Sequence, residues 1–277
     1  MGATLSAEQY IEVEGASLRV RSAGEGPAVV LVHGWALDLD MWRAQMDQLA
    51  DRYRVIAFDR RGFGRSSGVP AIQQDVHDID RLLDCLDVSH AAIVGMSQGA
   101  RVALRWALKH PQRALCLVLD GPPAEGWSQS VGTREIPIDD YRHRIRLEGV
   151  DAFRRTWLQH PFMQLQTRSP CVHRLLHEIV VRYPALDLQM SEQPQLPLLG
   201  ERDLLGVNAP TLVISGEHDS LQRQSIAARM VKALPDARLK VLRDAGHLGA
   251  LDDPHAYVEA LHKFFSSQPS MAANAVM

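Results

Sequence analysis

An α/β fold with a mostly parallel sheet is predicted by three observations. Continuous apolar, β-branched runs such as "AVVLVHG" (28–34) recur along the chain, as expected of strands buried on both faces. Helix-like segments alternate with them, and that alternation builds parallel sheets. The chain has 277 residues and 46% hydrophobic content, enough for one sizeable core with an inserted subdomain.

Two short runs, 10–13 and 18–21, open the chain and read as a hairpin split by Glu14-Gly15. After "AVVLVHG", strand-like runs of the same style follow at 54–59, 91–97, 114–120, 211–219 and 237–242. Ile72, Val76, Ile79, Leu83 and Leu86 recur on one face of a helix. A helix over 98–110 stops at Pro111, and one over 224–234 stops at Pro235. A last helix, 253–265, has Pro254 in its first turn. The alternation breaks between Gly121 and Gly206, where helical pieces at 139–148, 150–160 and 172–183 replace strands. This stretch reads as a helical insertion, and the small, polar tail from Ser266 is expected to fray.

Net charge is −3. Nothing in it suggests affinity for nucleic acid or an anionic membrane. Cys85, Cys116 and Cys171 lack CxxC spacing, which argues against a disulfide framework or zinc site. Cys85 and Cys116 lie in apolar runs and are expected in the core. The amino terminus has no signal-like apolar region, so a cytoplasmic location is expected. Met1-Gly2 with Ser6 matches the short myristoylation pattern.

"VGMSQGARVAL" (94–104) places Ser97 after a strand, before a helix, between Gly95 and Gly99. A sharp strand-to-helix turn forces a strained backbone at the serine, and small neighbours give clearance. Serine is a nucleophile at neutral pH only when a base takes its proton. "ISGEHD" places Asp219 just past one strand, and "VLRDAGHLG" places His247 past the next. In a parallel sheet these loops share the carboxyl edge, so the three can converge. Asp120, at the end of the strand after the nucleophile, is the runner-up acid. Backbone N–H groups of Gln98 and Trp35 are the candidate oxyanion donors. His33 and the Asp59-Arg60-Arg61 stretch read as loop braces.

HGW at 33–35, D-R-R-G-x-G-x-S at 59–66, G-x-S-x-G at 95–99, G-x-x-D at 216–219 and G-H at 246–247 occur in that order. On these motifs the chain resembles the α/β-hydrolase fold family over about residues 10–265, with Ala100 where many members carry glycine. The resemblance implies an eight-stranded sheet with a helical cap inserted after strand 6. The core would comprise 1–121 and 206–277, and the cap 122–205. It implies a Ser97–Asp219–His247 triad with no metal or organic cofactor. Within the cap, Trp127, Trp157 and Phe162 are the candidate pocket residues. Eight arginines lie between Arg142 and Arg182; they read first as a solvated face and second as attraction for an anionic acyl group.

The expected activity is hydrolysis of a small carboxylic ester or lactone, by a monomer or homodimer. The pattern is also similar to enol-lactone hydrolases and non-haem haloperoxidase-like proteins. C–C bond hydrolysis, thioester hydrolysis and cofactor-free perhydrolysis stay open. So does a small-ligand receptor with slow turnover.

Overall fold

The computed structural model describes residues 8–125, 127, 136–190 and 196–272. Its strands are β1 (Gln9–Val13), β2 (Ala16–Ala23), β3 (Ala28–Val32), β4 (Arg54–Phe58), β5 (Ala91–Met96), β6 (Ala114–Asp120), β7 (Thr211–Gly216) and β8 (Ala237–Leu242). They form one sheet in the order β1-β2-β4-β3-β5-β6-β7-β8. The hairpin β1–β2 and the β2–β4 pair are antiparallel, and every later pairing is parallel. The helices are α1 (Arg43–Leu49), α2 (Ile72–Cys85), α3 (Gln98–Lys109), α4 (Ile138–Glu148), α5 (Val150–Leu158), α6 (Pro170–Arg182), α7 (Leu186–Gln189), α8 (Leu221–Ala233), α9 (Gly249–Asp252), α10 (Pro254–Ser266) and α11 (Pro269–Ala272). Among the described residues, no helix is long and apolar enough to cross a membrane.

The unbroken apolar runs follow from two covered faces. Val29 and Leu31 of β3, with Ala92 and Val94 of β5, point into a cluster shared with α1 and α10. Their alternates, Val30, Val32, Ala91 and Ile93, point into a second cluster shared with α2, α3 and α8. Edge strand β8 departs from this expectation. Its sequence interleaves Arg238 and Lys240, and Leu239 and Val241 are 43% and 47% exposed.

Local chemistry sets the helix limits. Ser220 Oγ accepts from the Arg223 N–H at 3.1 Å, so α8 starts before the periodic run from residue 224. Asp253 caps α10 through the Ala256 N–H at 2.9 Å, with Pro254 in the first turn. Gly149, at φ 82°, separates α4 from α5. Helix α1 escaped the sequence reading because it is short and lacks a side-chain cap. The tail also differs from expectation: Pro269–Ala272 is helical and Met271 is buried. Cys116 is buried as expected, but Cys85 is exposed at the end of α2, off the face carrying Val76, Ile79, Leu82 and Leu83. The myristoylation-like residues Met1, Gly2 and Ser6 lie outside the described residues.

The crossing of α3 over the sheet positions the site. A Cβ on Gly95 would lie 2.3 Å from Gly99 O, and one on Gly99 would lie 2.3 Å from Val32 O. Both contacts are with backbone, so no rotamer change relieves them. Gly95→Ala is expected to lower stability by about 3 kcal/mol, near the upper end for overpacking, and Tm by roughly 6–10 °C. An unchanged melting curve would show that the crossing has slack.

Candidate active site

Ser97 follows β5 directly and has φ 51° and ψ −115°. This strained turn is pinned by the Ser97 N–H, which donates to Asp120 O at 2.7 Å. The hydroxyl stands at the amino end of α3. His247 Nε2 lies 3.1 Å from Ser97 Oγ, and His247 Nδ1 lies 2.8 Å from Asp219 Oδ2. All three residues are buried. Asp219 Oδ1 accepts from the Ser220 N–H at 2.7 Å, which fixes the carboxylate plane.

Asp120 does not meet the imidazole. Burial and the charge of nearby Asp219 hold its carboxyl well above the usual carboxylate range. Gly121, next in the chain, lies against His247: a Cβ there would be 3.0 Å from His247 Cε1. Substitution at this glycine, which also has φ +51°, would press on the imidazole.

The loop after β3 is braced from below. His33 Nε2 accepts from the Arg60 N–H at 2.9 Å, which leaves the Nδ1 proton to donate to Gly34 O at 2.8 Å. Burial, reinforced by Arg60, keeps His33 neutral. Arg60 reaches the Gln98 side chain at 2.7 Å and Asp75 at 3.0 Å. Arg61 forms a two-point pair with Asp78 at 2.6 Å. Asp59 accepts from the Leu39 and Arg65 N–H groups.

The helical segment between β6 and β7 fastens to this loop. Trp35 Nε1 donates to Asp187 Oδ2 at 2.6 Å, and the Tyr183 hydroxyl donates to the other oxygen of Asp187. Trp157 meets Trp35 edge-on at 4.7 Å. Arg182 bridges to Asp38 at 2.7 Å and to Asp40 at 2.7 Å. Burial, then the charge of Asp59, pushes Asp38 up to about 6 against the pull of Arg182. Asp252 joins the inserted helical segment to the loop bearing His247: it accepts from the Gly246 N–H at 2.8 Å and the Gln166 N–H at 2.7 Å.

Among the sequence candidates, Gln98 follows Ser97 directly, while Trp157 packs between Trp35 and His160. Phe162 stacks directly on His247, with centroids 4.1 Å apart. Trp127 is a correction. Beyond β6 the chain turns at Gly121-Pro122-Pro123 toward α3 and α8, where Trp127 packs near Leu104 and Met230 under the Arg229 guanidinium. It belongs to the cluster on the α3–α8 face of the sheet. Sequence reasoning missed Asp187, Asp252, Arg223 and Asp75. None lies in a recognisable motif, though each is an acid or arginine near an apolar run.

Cap arginines Arg142, Arg144 and Arg154 pair with acids on their own helices, while Arg146, Arg155, Arg168 and Arg174 are exposed. The cation touching the nucleophile's neighbour is Arg60, from the core. A cavity of about 350 Å³ opens beside Gln98, lined in part by Arg60, Phe63, Arg101, Asp187 and Leu198.

A strained serine, an imidazole and a carboxylate at the carboxyl edge of a parallel sheet define a class of protein. Residues 27–254 match the family model of the alpha/beta hydrolase fold, and the chain belongs to that family. It is 27% identical over 270 residues to a pimeloyl-[acyl-carrier protein] methyl ester esterase of Nitrosospira multiformis, covering 90% of this chain and 98% of the relative. A solved thermophilic esterase of Thermogutta terrifontis is similar at 26% identity and TM-score 0.76, over 94% of this chain and 98% of that one. The enol-lactonase of Burkholderia xenovorans has the same fold at 23% identity and TM-score 0.76, over 94% and 100% of the two chains.

Asp75 carries a pH dependence into this architecture. Burial pushes its carboxyl up to about 6 against the pull of Arg60, from an ordinary 3.8. Between those values the folded chain holds a proton that the unfolded chain has released. Stability from this group is therefore present at low pH and lost as pH rises through 6. Relative to wild type, Asp75→Asn should gain about 2 kcal/mol between pH 4.5 and 7 in urea unfolding. A pH-independent difference would show that the carboxyl titrates normally.

Proposed function

We propose that the protein is a serine hydrolase of small carboxylic esters, lactones included. The observation that carries this reading is the buried run from Ser97 Oγ through His247 to Asp219, at 3.1 and 2.8 Å. The esterase names of the relatives support the same class.

Ser97 Oγ attacks the substrate carbonyl as its proton passes to His247 Nε2. Asp219 accepts the Nδ1 hydrogen bond and stabilises the imidazolium. The N–H groups of Trp35 and Gln98 hold the oxyanion; Gln98 is the first residue of α3, so helical bonding leaves its amide free. His247 then returns the proton to the departing alkoxide, leaving an acyl group on Ser97. Water, giving a proton to His247, attacks the acyl carbonyl; His247 passes that proton to Ser97 Oγ as the acyl–oxygen bond breaks, so the sum is ester plus water to acid plus alcohol.

A fluorophosphonate probe should label the wild type once, and Ser97→Ala should abolish labelling and lower ester turnover by roughly 10⁴ or more. Labelling that persists in the variant would remove Ser97 from the reaction. Labelling of the wild type without ester turnover would favour a receptor over an enzyme. Asp219→Asn should lower kcat by about 10⁴, because the wrong imidazole tautomer is then favoured. If Asp120→Asn is the crippled variant instead, the acid lies on the other strand.

A further inference from the structure

The His247 imidazole has two polar edges and two faces. Its edges meet Asp219 and Ser97. One face is covered by Phe162, with centroids 4.1 Å apart and planes 24° from parallel. Phe162 comes from the cap, in the single turn Pro161–Met163.

That turn is built to aim the ring. Pro161 fixes its first position, and His160 Nδ1 accepts from the Phe162 N–H at 3.1 Å. His160 stacks on Trp157 at 4.6 Å and meets Phe162 edge-on at 5.0 Å. Trp157 in turn meets Trp35, the residue of the candidate oxyanion amide, at 4.7 Å. A run of rings thus joins Trp35 to His247 through Trp157, His160 and Phe162. From the core side, the Arg223 guanidinium carbon lies 4.9 Å from the Phe162 centroid. Arg223 is itself fixed by donating to Gly121 O at 2.8 Å. Phe162, Arg223 and His247 are all buried.

From this the geometry points to Phe162 as a positioning residue that holds the His247 ring in the plane joining Asp219 to Ser97. This rests on the reading of His247 as the general base. Histidine χ2 is a broad, two-fold torsion, so the side chain's own preference does not select the plane. Two hydrogen bonds and one stacked face do. A residue that merely lines a substrate pocket turns its ring toward open space. The Phe162 ring meets the imidazole, a guanidinium and the edge of His160.

The experiment uses Phe162→Leu and Phe162→Tyr with p-nitrophenyl acetate, an acyl group too small to fill the cap. Loss of the ring lets the imidazole tilt, and a misplacement of about 1 Å can cost about a hundredfold in rate. Phe162→Leu should lower kcat by about ten- to a hundredfold while KM stays within about twofold. Phe162→Tyr, which keeps the ring, should restore kcat to within about threefold of wild type. The downfield proton resonance of His247 Nδ1–H, assigned by its loss in His247→Gln, should persist in wild type and Phe162→Tyr. It should broaden or vanish in Phe162→Leu. If Phe162→Leu fails to melt cooperatively, Phe162→Met takes its place under the same criteria. A change confined to KM, or an unaltered Nδ1–H resonance, would overturn the assignment. If no ester turns over yet the resonance depends on the ring, the positioning role stands and the hydrolase reading falls.

Discussion

The close passage of α3 over the ends of β3 and β5 is the constraint on which the rest depends. Gly95, Gly99 and Val32 bring three backbones within distances that no methyl could enter. That approach forces Ser97 to φ 51°, a strain of about 1–3 kcal/mol. Burial of strands on both faces offsets it, and the turn is held by the bond from the Ser97 amide to β6. Backbone packing therefore fixes the Cα–Cβ bond of Ser97, and the hydroxyl is left one torsion from its contact with His247. The His247 imidazole, 3.1 Å from Ser97 Oγ, and Gln98, the first residue of α3, are positioned relative to that turn.

A second layer of organisation is electrostatic and lies between cap and core. Asp187 takes the Trp35 indole and the Tyr183 hydroxyl, Arg182 reaches Asp38 and Asp40, and Asp252 takes amides from both sides. All but the exposed Asp252–Gln166 contact are buried or half-buried, so their geometry is enforced by packing as well as by charge. Breaking one partner leaves a desolvated group behind, which costs more than the bond itself contributes.

Much of this was legible in the sequence because it follows period and spacing. Alternating burial on two covered faces produces unbroken apolar runs, so strands such as 28–34 and 91–97 were readable. Glycines beside Ser97 and the late aspartate and histidine mark loops at one sheet edge. What escaped depends on non-local partners. Strand β8 reads like the others, but it is the edge of the sheet. Cys85 sits in an apolar run yet falls off the buried side of α2. Trp127 and Phe162 are both aromatic residues in the same insertion. Only the path of the chain past Pro123 sends one to α8 and the other to the imidazole. Helix α1 has neither a side-chain cap nor the length to announce itself.

The carboxylate of Asp252 accepts from the amides of Gln166, Thr167 and Gly246. Two of those donors belong to the cap and the third precedes His247. The same side chain thus serves as a common knot for two loops far apart in sequence. Local openings run along such shared contacts as cooperative units. Loss of that one carboxylate would therefore strip hydrogen bonds from the 164–167 loop and from the loop bearing His247 together.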